Sequence, residues 1–341
     1  MADLSTTYLG LRLSSPLVPS ASPLAREVDN LKRMEDNRAG AVVLHSLFEE
    51  EILADRDELE STVEARAESG AEAVSYFPAL AGLRQGPELY LEHVARAKKA
   101  VKIPVIASLN AAEGGAWTEY AAKIQEAGAD ALELNLYRVV TDPELPGQGE
   151  EEAALEVVRS VKARVRIPLA VKITPYYASL PNMARGLVRS GAQALVLFNR
   201  FMQPDLDVEE MDARGESVLS GPEAQRLPLR WTALLYGRVD AGLAASGGVS
   251  EGVDAVKMIL AGADVVMLCS ALLRHGVAQL KVVEKGLVDW MAGHGYDSVE
   301  SMKGVLSHKK VPDPQVFERA QYMKGLMKFQ PARAVVSDRD F

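Results

Sequence analysis

The stretch ASGGVSEGVDAVKMILAGADVVML (residues 245–268) reads as one complete strand–helix–strand unit. It continues an apolar run, LAASGG (243–248), whose two glycines lead into a helical pattern over 250–261. That pattern stops at Ala261-Gly262-Ala263, and the β-branched run VVMLCS (265–270) follows at once. A glycine past a helix end supplies the left-handed cap, and a small residue after it lets the chain turn straight into a strand. Both strands are apolar along their length instead of alternating. Parallel strands buried on both faces have this pattern.

Working outward, the same small–Gly–Ala junction recurs at Ala39-Gly40-Ala41, Ala127-Gly128-Ala129 and Ser190-Gly191-Ala192. It alternates with a second junction, VKIP (101–104) and RVRIP (164–168), in which proline stops a helix. The apolar runs are PLVPSAS (16–22), AVVLHS (41–46), VIASLN (105–110), ALELNL (131–136), LAVKIT (169–174), ALVLFN (194–199), LAASGG and VVMLCS. Helical patterns fall at 25–38, 86–100, 117–127, 150–163, 180–190, 223–237, 250–261 and 271–292. Right-handed crossovers between such units close naturally into a (β/α)8 TIM barrel. An open doubly wound sheet is the alternative, but no GxGxxG turn supports it.

The chain therefore reads as a single domain of 341 residues, with a barrel core over about 16–292 and a C-terminal extension over 293–341. TTYLGLRLSS (6–15) alternates like a small hairpin that covers the barrel bottom. The long polar segments 49–79 and 200–222, after the second and sixth strands, belong to the rim where strands end. In the extension, Lys309-Lys310 and Lys324/Lys328 read as a solvated face or an oligomer contact.

Charge and cysteine content narrow the function. Against 47 acidic residues stand 38 lysines and arginines, a net charge of −9, which argues against a general nucleic-acid or anionic-membrane binder. No run approaches the roughly 18 apolar residues of a membrane span, and the start of the chain lacks a signal-peptide pattern. One cysteine, Cys269, excludes an internal disulfide, a cysteine-held iron–sulfur cluster and a thiolate zinc site. The expected setting is the cytoplasm.

In such a barrel the chemistry sits at the carboxyl ends of the strands. Those ends carry Ser20 and Ser22, His45 and Ser46, Ser108 and Asn110, Asn135, Lys172 and Thr174, Asn199, Ser246-Gly247-Gly248, and Cys269-Ser270. Metal hydrolases on barrels gather several His and Asp ligands, and only His45 of that kind stands among these ends, so no metal site is expected. Glu133 points either inward or outward. A ring of amides and hydroxyls around one ammonium suits a flat, many-acceptor ligand such as reduced flavin, whose N1–C2=O edge is anionic. Gly247 and Gly248 open a helix, so their backbone suits a phosphate, with Ser220-Gly221, Cys269 and Ser270 closing the site.

At these residues the chain resembles the dihydroorotate dehydrogenase family of FMN-dependent barrels, over about residues 6–305. PLVPSASPL is similar to its first strand, which implies Ala21 and Ser22 under the flavin. ALELNL is similar to its fourth, which implies that Asn135 meets flavin and substrate, and LAVKITPYY to its fifth, which implies Lys172 near flavin N1. ASGGVSEGVDAVKMILAGADVVML resembles its phosphate region, implying Gly247, Gly248, Cys269 and Ser270 around the FMN phosphate, with Gly221 and Ser246 beside them. The remaining cofactor contacts would be Ser46, Asn110 and Asn199. The family oxidises dihydroorotate in pyrimidine biosynthesis, passing a hydride to flavin N5 while a base removes a C5 proton. The soluble class is the closer match, and a homodimer or a redox partner subunit is implied.

The chain departs from the family in the substrate half. Arg138 stands where the family has its Cys or Ser base, and an arginine stays protonated. His45-Ser46 replaces Lys-Ser, VSYFPAL (74–80) keeps only Ser75 of a polar segment, and Asn199-Arg200 replaces Asn-Ser/Thr. Substrate contacts then fall to His45, Ser75, Asn135, Asn199 and Arg200, and the catalytic set to Lys172, Asn135, His45 and Arg138. Replacement acid–bases are His45, Tyr76, Tyr137 and Thr141. A small anionic or pyrimidine-like substrate fits this cationic rim. Two other readings stay open: a Schiff-base aldolase-like barrel using Lys172, and a non-catalytic flavoprotein that carries electrons within a larger complex.

Overall fold

A computed structural model describes residues 2–48, 51–52, 86–111, 116–136, 138–200, 204–214 and 219–318. The chain opens with an antiparallel hairpin, β1 (Thr6–Tyr8) and β2 (Leu11–Leu13). Eight parallel strands follow: β3 (Leu17–Pro19), β4 (Val42–Phe48), β5 (Val105–Ala111), β6 (Ala131–Leu136), β7 (Leu169–Ile173), β8 (Ala194–Leu197), β11 (Gly242–Ser246) and β12 (Val265–Leu268). A second hairpin, β9 (Asp205–Asp207) and β10 (Asp212–Arg214), lies within the long connection after β8.

From β4 to β12 each barrel strand pairs with the next, and β12 returns to β3. The two remaining edges, β3 and β4, are tied where the Gly40 N–H donates to the Leu17 carbonyl at 2.9 Å. A Cβ on Gly40 would stand 1.9 Å from the Ser15 carbonyl oxygen, so only glycine allows the chain this approach. This ring is the (β/α)8 TIM barrel expected; the cyclic strand order excludes the doubly wound sheet.

The helices pack outside, as their patterns dictate. They are α1 (Val28–Asp36), α2 (Gly86–Ala100), α3 (Ala116–Glu126), α4 (Gly147–Arg164), α5 (Leu180–Arg189), α6 (Arg226–Leu235), α7 (Gly252–Ala261), α8 (Ser270–His275), α9 (Gln279–Gly293) and α10 (Val299–Met302). Helix α5 buries Leu180, Met183, Ala184 and Leu187, a stripe at helical spacing against the sheet. Helix α7 begins with a reciprocal capping box between Glu251 and Asp254. The single helix expected over 271–292 is two, α8 and α9, because the chain breaks at Gly276.

Inside the barrel, the lower positions are small and apolar: Val18, Val43, Ile106, Ala131, Ala170, Ala194, Val196, Ala244 and Met267. The first hairpin closes the floor with Tyr8, Leu9 and Leu13, and Thr6 Oγ1 donates to the Asp264 carbonyl at 3.0 Å. The start of the C-terminal extension docks instead of lying solvated. Gly304 N–H donates to Ile259 O at 2.9 Å, Leu306 N–H to Leu260 O at 2.8 Å, and Lys303 pairs with Asp264 at 2.9 Å. Lys310 stands over the Tyr236 ring. Lys324 and Lys328 lie outside the described residues, as does most of 49–79. No helix among the described residues is long and apolar enough to cross a membrane.

Candidate active site

Strand alternation brings one polar row after another into the barrel above the alanines. Ser108 of β5 stands opposite Glu133 of β6, Asn110 opposite Asn135, and Asn135 opposite Lys172 of β7. Glu133 therefore points inward and is fully buried. Lys172 is 7% exposed, and its ammonium lies 3.6 Å from Glu133 Oε1 and donates to Ser20 Oγ at 3.3 Å.

A bulge in β4 decides which of its residues reaches the mouth. Pairing with β5 runs Val43–Ile106 and then Ser46–Ser108, so Leu44 and His45 together stand opposite Ala107. Ser46 turns inward and its hydroxyl meets Ser108 Oγ at 2.8 Å. The Asn135 amide donates to both hydroxyls at 3.2 Å. The His45 ring packs on α2, 5.1 Å from the Tyr90 ring and 5.3 Å from that of His93. The ring of side chains around Lys172 is thus made by Ser20, Ser46, Ser108 and Asn135, and His45 stands behind it. Tyr90 locks the Ser108 backbone, donating to its carbonyl at 2.9 Å and accepting from its N–H at 2.8 Å. Burial pushes the Tyr90 phenol far up, so it stays a donor at neutral pH.

The second half of the mouth is built from backbone. Gly247 and Gly248 follow β11 with φ of +120° and +71°. A Cβ on Gly248 would stand 2.5 Å from the Gln225 nitrogen and 2.9 Å from the Gly221 carbonyl oxygen. The turn Pro222–Gln225 is therefore packed directly on the glycine pair. Behind it, Gln225 Nε2 donates to Asp254 Oδ1 at 3.1 Å, and Asp254 Oδ2 accepts from the N–H groups of Ser250 at 3.1 Å and Glu251 at 3.0 Å. Burial raises the Asp254 pKa, but these hydrogen bonds outweigh it and hold the carboxyl below its ordinary range.

From the eighth strand, Ser270 Oγ accepts from the Ser220 N–H at 3.0 Å. Arg274 holds the same loop through the carbonyls of Leu219 at 2.7 Å and Ser220 at 2.8 Å, and Arg200 donates to Ser220 Oγ. Burial pushes the Cys269 thiol up, while the charges of Lys172 and Arg200 pull it the other way. Both cations thus act at the end of β12, the strand that pairs with the one leading into the glycine cradle.

The other candidates divide. Ala21 and Ser22 follow β3, with Ser22 buried. Asn199 follows β8, and its buried Nδ2 has no hydrogen-bond partner among the described residues; the same holds for Asn135 Oδ1. Arg138 turns away to Glu150 at the start of α4, at 3.0 Å, and Thr141 is exposed. Ser75, Tyr76 and Tyr137 lie outside the described residues. Sequence reasoning missed Tyr90, Gln225 and Arg274. Asp254 alone carried a readable signal, the spacing of the capping box. Among the described residues no group of His, Cys, Asp and Glu could hold a metal ion.

A family model described as "Dihydroorotate dehydrogenase" matches residues 81–291. The chain is 27% identical over 313 residues to the "Dihydroorotate dehydrogenase B (NAD(+)), catalytic subunit" of Thermoplasma volcanium, covering 89% of this chain and 99% of that one. It is 24% identical to the "NAD-dependent dihydropyrimidine dehydrogenase subunit PreA" of Escherichia coli, covering 91% and 78%. Among solved structures, DHODH from Eimeria tenella in complex with ferulenol has the same fold, with a TM-score of 0.62 at 15% identity over 89% of this chain and 88% of that one.

Proposed function

The chain belongs to the dihydroorotate dehydrogenase family, and from that premise we propose that it is an FMN-dependent oxidoreductase acting on a CH–CH bond of a pyrimidine-like ring. The observation that carries the reading is a side-chain-free cradle at Gly247-Gly248 in the same barrel mouth as the buried ammonium of Lys172. A phosphate needs convergent N–H groups with no side chain in the way, and Gly247 and Gly248 bring none, the space a Gly248 Cβ would take being filled by the backbone of Gly221 and Gln225. An isoalloxazine needs donors and acceptors around a cation, and the unpartnered Asn135 Oδ1 and Asn199 Nδ2 supply one of each. The residues present therefore fit the group.

In this reading Gly221, Ser246, Gly247, Gly248, Cys269 and Ser270 hold the phosphate. Ala21, Ser22, Ser46, Asn110, Asn135, Lys172 and Asn199 hold the ring system. FMN, when bound, supplies an acceptor for a hydride at N5. Lys172 stabilises negative charge at the N1–C2=O edge, and Asn135, fixed by Ser46 and Ser108, presents its carbonyl oxygen to ligand donors. Asn199 suits the substrate side, whereas Arg200, expected there, donates to Ser220 and adds its charge near Cys269 on the phosphate side. Arg138 cannot take a proton, and its partner is Glu150. This favours a relative of dihydroorotate over dihydroorotate itself. The Thermoplasma and Escherichia relatives are named as subunits, which supports a redox partner for this chain.

The test is spectroscopic. The purified protein is expected to be yellow, to release FMN on denaturation and to bleach with dithionite; colourless protein that takes up no FMN overturns the reading. Anaerobic mixing of the FMN-loaded protein with dihydroorotate then reads the substrate. Rapid bleaching assigns dihydroorotate, and unchanged absorbance moves the assignment to another dihydropyrimidine.

A further inference from the structure

Glu133 is the most deeply buried charged side chain of the mouth, with 0% exposure, and neither carboxylate oxygen accepts a hydrogen bond among the described residues. Its ion-pair partner is Lys172, at 3.6 Å. The two phenols that feel its charge, Tyr8 and Tyr90, cannot neutralise it. Burial, and then the Glu133 charge itself, raise the phenol of Tyr8 on the floor hairpin, so that group stays neutral. Stability alone gives no reason to keep such a pair, because two charges withdrawn from water recover at most what their desolvation costs. A leucine or methionine pair would fill the same space. The pair does, however, settle two properties of the ammonium that a ligand meets. Of its three donors, one is drawn toward Glu133 and one is given to Ser20, so one is left for a ligand. The opposite charge also cancels much of the ammonium's field at any distance beyond the pair.

We infer that Glu133 is a positioning residue that sets how much positive charge Lys172 presents to the bound cofactor, and so tunes its reduction potential. The inference rests on the FMN reading above. Removing the carboxylate charge leaves a full cation beside the N1–C2=O edge and favours the reduced, more negative state of the flavin.

The experiment measures the midpoint potential of FMN-loaded parent and Glu133→Gln protein against a reference dye, with FMN affinity determined alongside. Glu133→Gln is expected to bind FMN as the parent does and to shift the oxidised–reduced equilibrium about tenfold toward the reduced form, roughly 30 mV upward for a two-electron couple. A purely structural role would lower thermal stability and leave the potential where it was, and that result overturns the inference. Glu133→Asp keeps the charge, lengthens the ion-pair distance and carries the test if the glutamine variant does not fold. It is expected to move the equilibrium about threefold in the same direction, and an unmoved potential again counts as refutation. A parent protein that takes up no FMN sinks the cofactor reading and this inference with it. A yellow parent whose variants share its potential sinks the inference alone.

Discussion

The two halves of the barrel mouth are made of different material. On β11 and β12 the cradle is backbone: Gly247, Gly248 and the turn Pro222–Gln225, packed so closely that a single Cβ on Gly248 has no place. On β3 to β7 the site is side chain, in two groups: Ser46, Ser108 and Asn135 joined by hydrogen bonds, and Lys172 held by a hydrogen bond to Ser20 and by the charge of Glu133. The backbone half can keep its ligand through wide sequence change provided a few glycines stay. The side-chain half can be rebuilt one residue at a time. In the proposed reading, that difference accounts for a chain whose glycine stretch resembles the family's phosphate region while Arg138 stands where the resemblance places the family's base.

Substitutions in the two halves should therefore fail in different ways. Lys172→Met leaves Glu133 as an unpaired buried carboxylate, and loss of about 3–5 kcal/mol is expected in urea unfolding, together with loss of turnover. A variant as stable as the parent would mean that the two groups do not act as a pair. Gly248→Ala should cost about 2–3 kcal/mol through its positive φ and the clash with Gln225, and release FMN about 100-fold more readily. Fluorescence titration with FMN reads that outcome, and undiminished affinity would show that the cradle is not backbone-built.

Smaller effects separate the supporting network from the ring. Asn135→Ala removes the donor shared by Ser46 and Ser108 and should cost about 1–2 kcal/mol in unfolding, with a larger rise in KM than fall in kcat. Asp254→Asn should cost about 1 kcal/mol, since it weakens the cap of α7 behind the cradle. The parent should show the matching acid dependence. The Asp254 carboxyl is depressed below its ordinary 3.8, so its contribution is complete above that value and is lost as pH falls through the lower, folded one. A thermal melt series across acid pH, parent against variant, checks the sign. Arg138→Ala should change stability least, by about 0–1 kcal/mol, since its ion pair with Glu150 is partly exposed.

Much of this was legible along the chain because the relevant forces are local. Eight apolar runs marked the barrel strands, six of them opened by small–Gly–Ala or Ile-Pro junctions, and the alternating segment 6–15 marked the floor hairpin. Three features were not legible. The bulge in β4 turns Ser46 inward and sets His45 against Tyr90, a consequence of registering one strand on another. The inward aim of Glu133 depends on where β6 enters the ring. Arg138 is drawn to Glu150 across a turn whose path sequence periodicity does not encode.

The order of elements, the closed parallel ring and the glycine cradle follow from the sequence by itself, since helix caps, proline stops and strand burial act between residues close in the chain. The partnership of Glu133 with Lys172, the hydroxyl bracket on Asn135 and the removal of His45 and Arg138 from the ring were decided only in the tertiary structure. Those contacts join strands far apart in sequence, and their geometry is set by register and packing, which no local pattern carries.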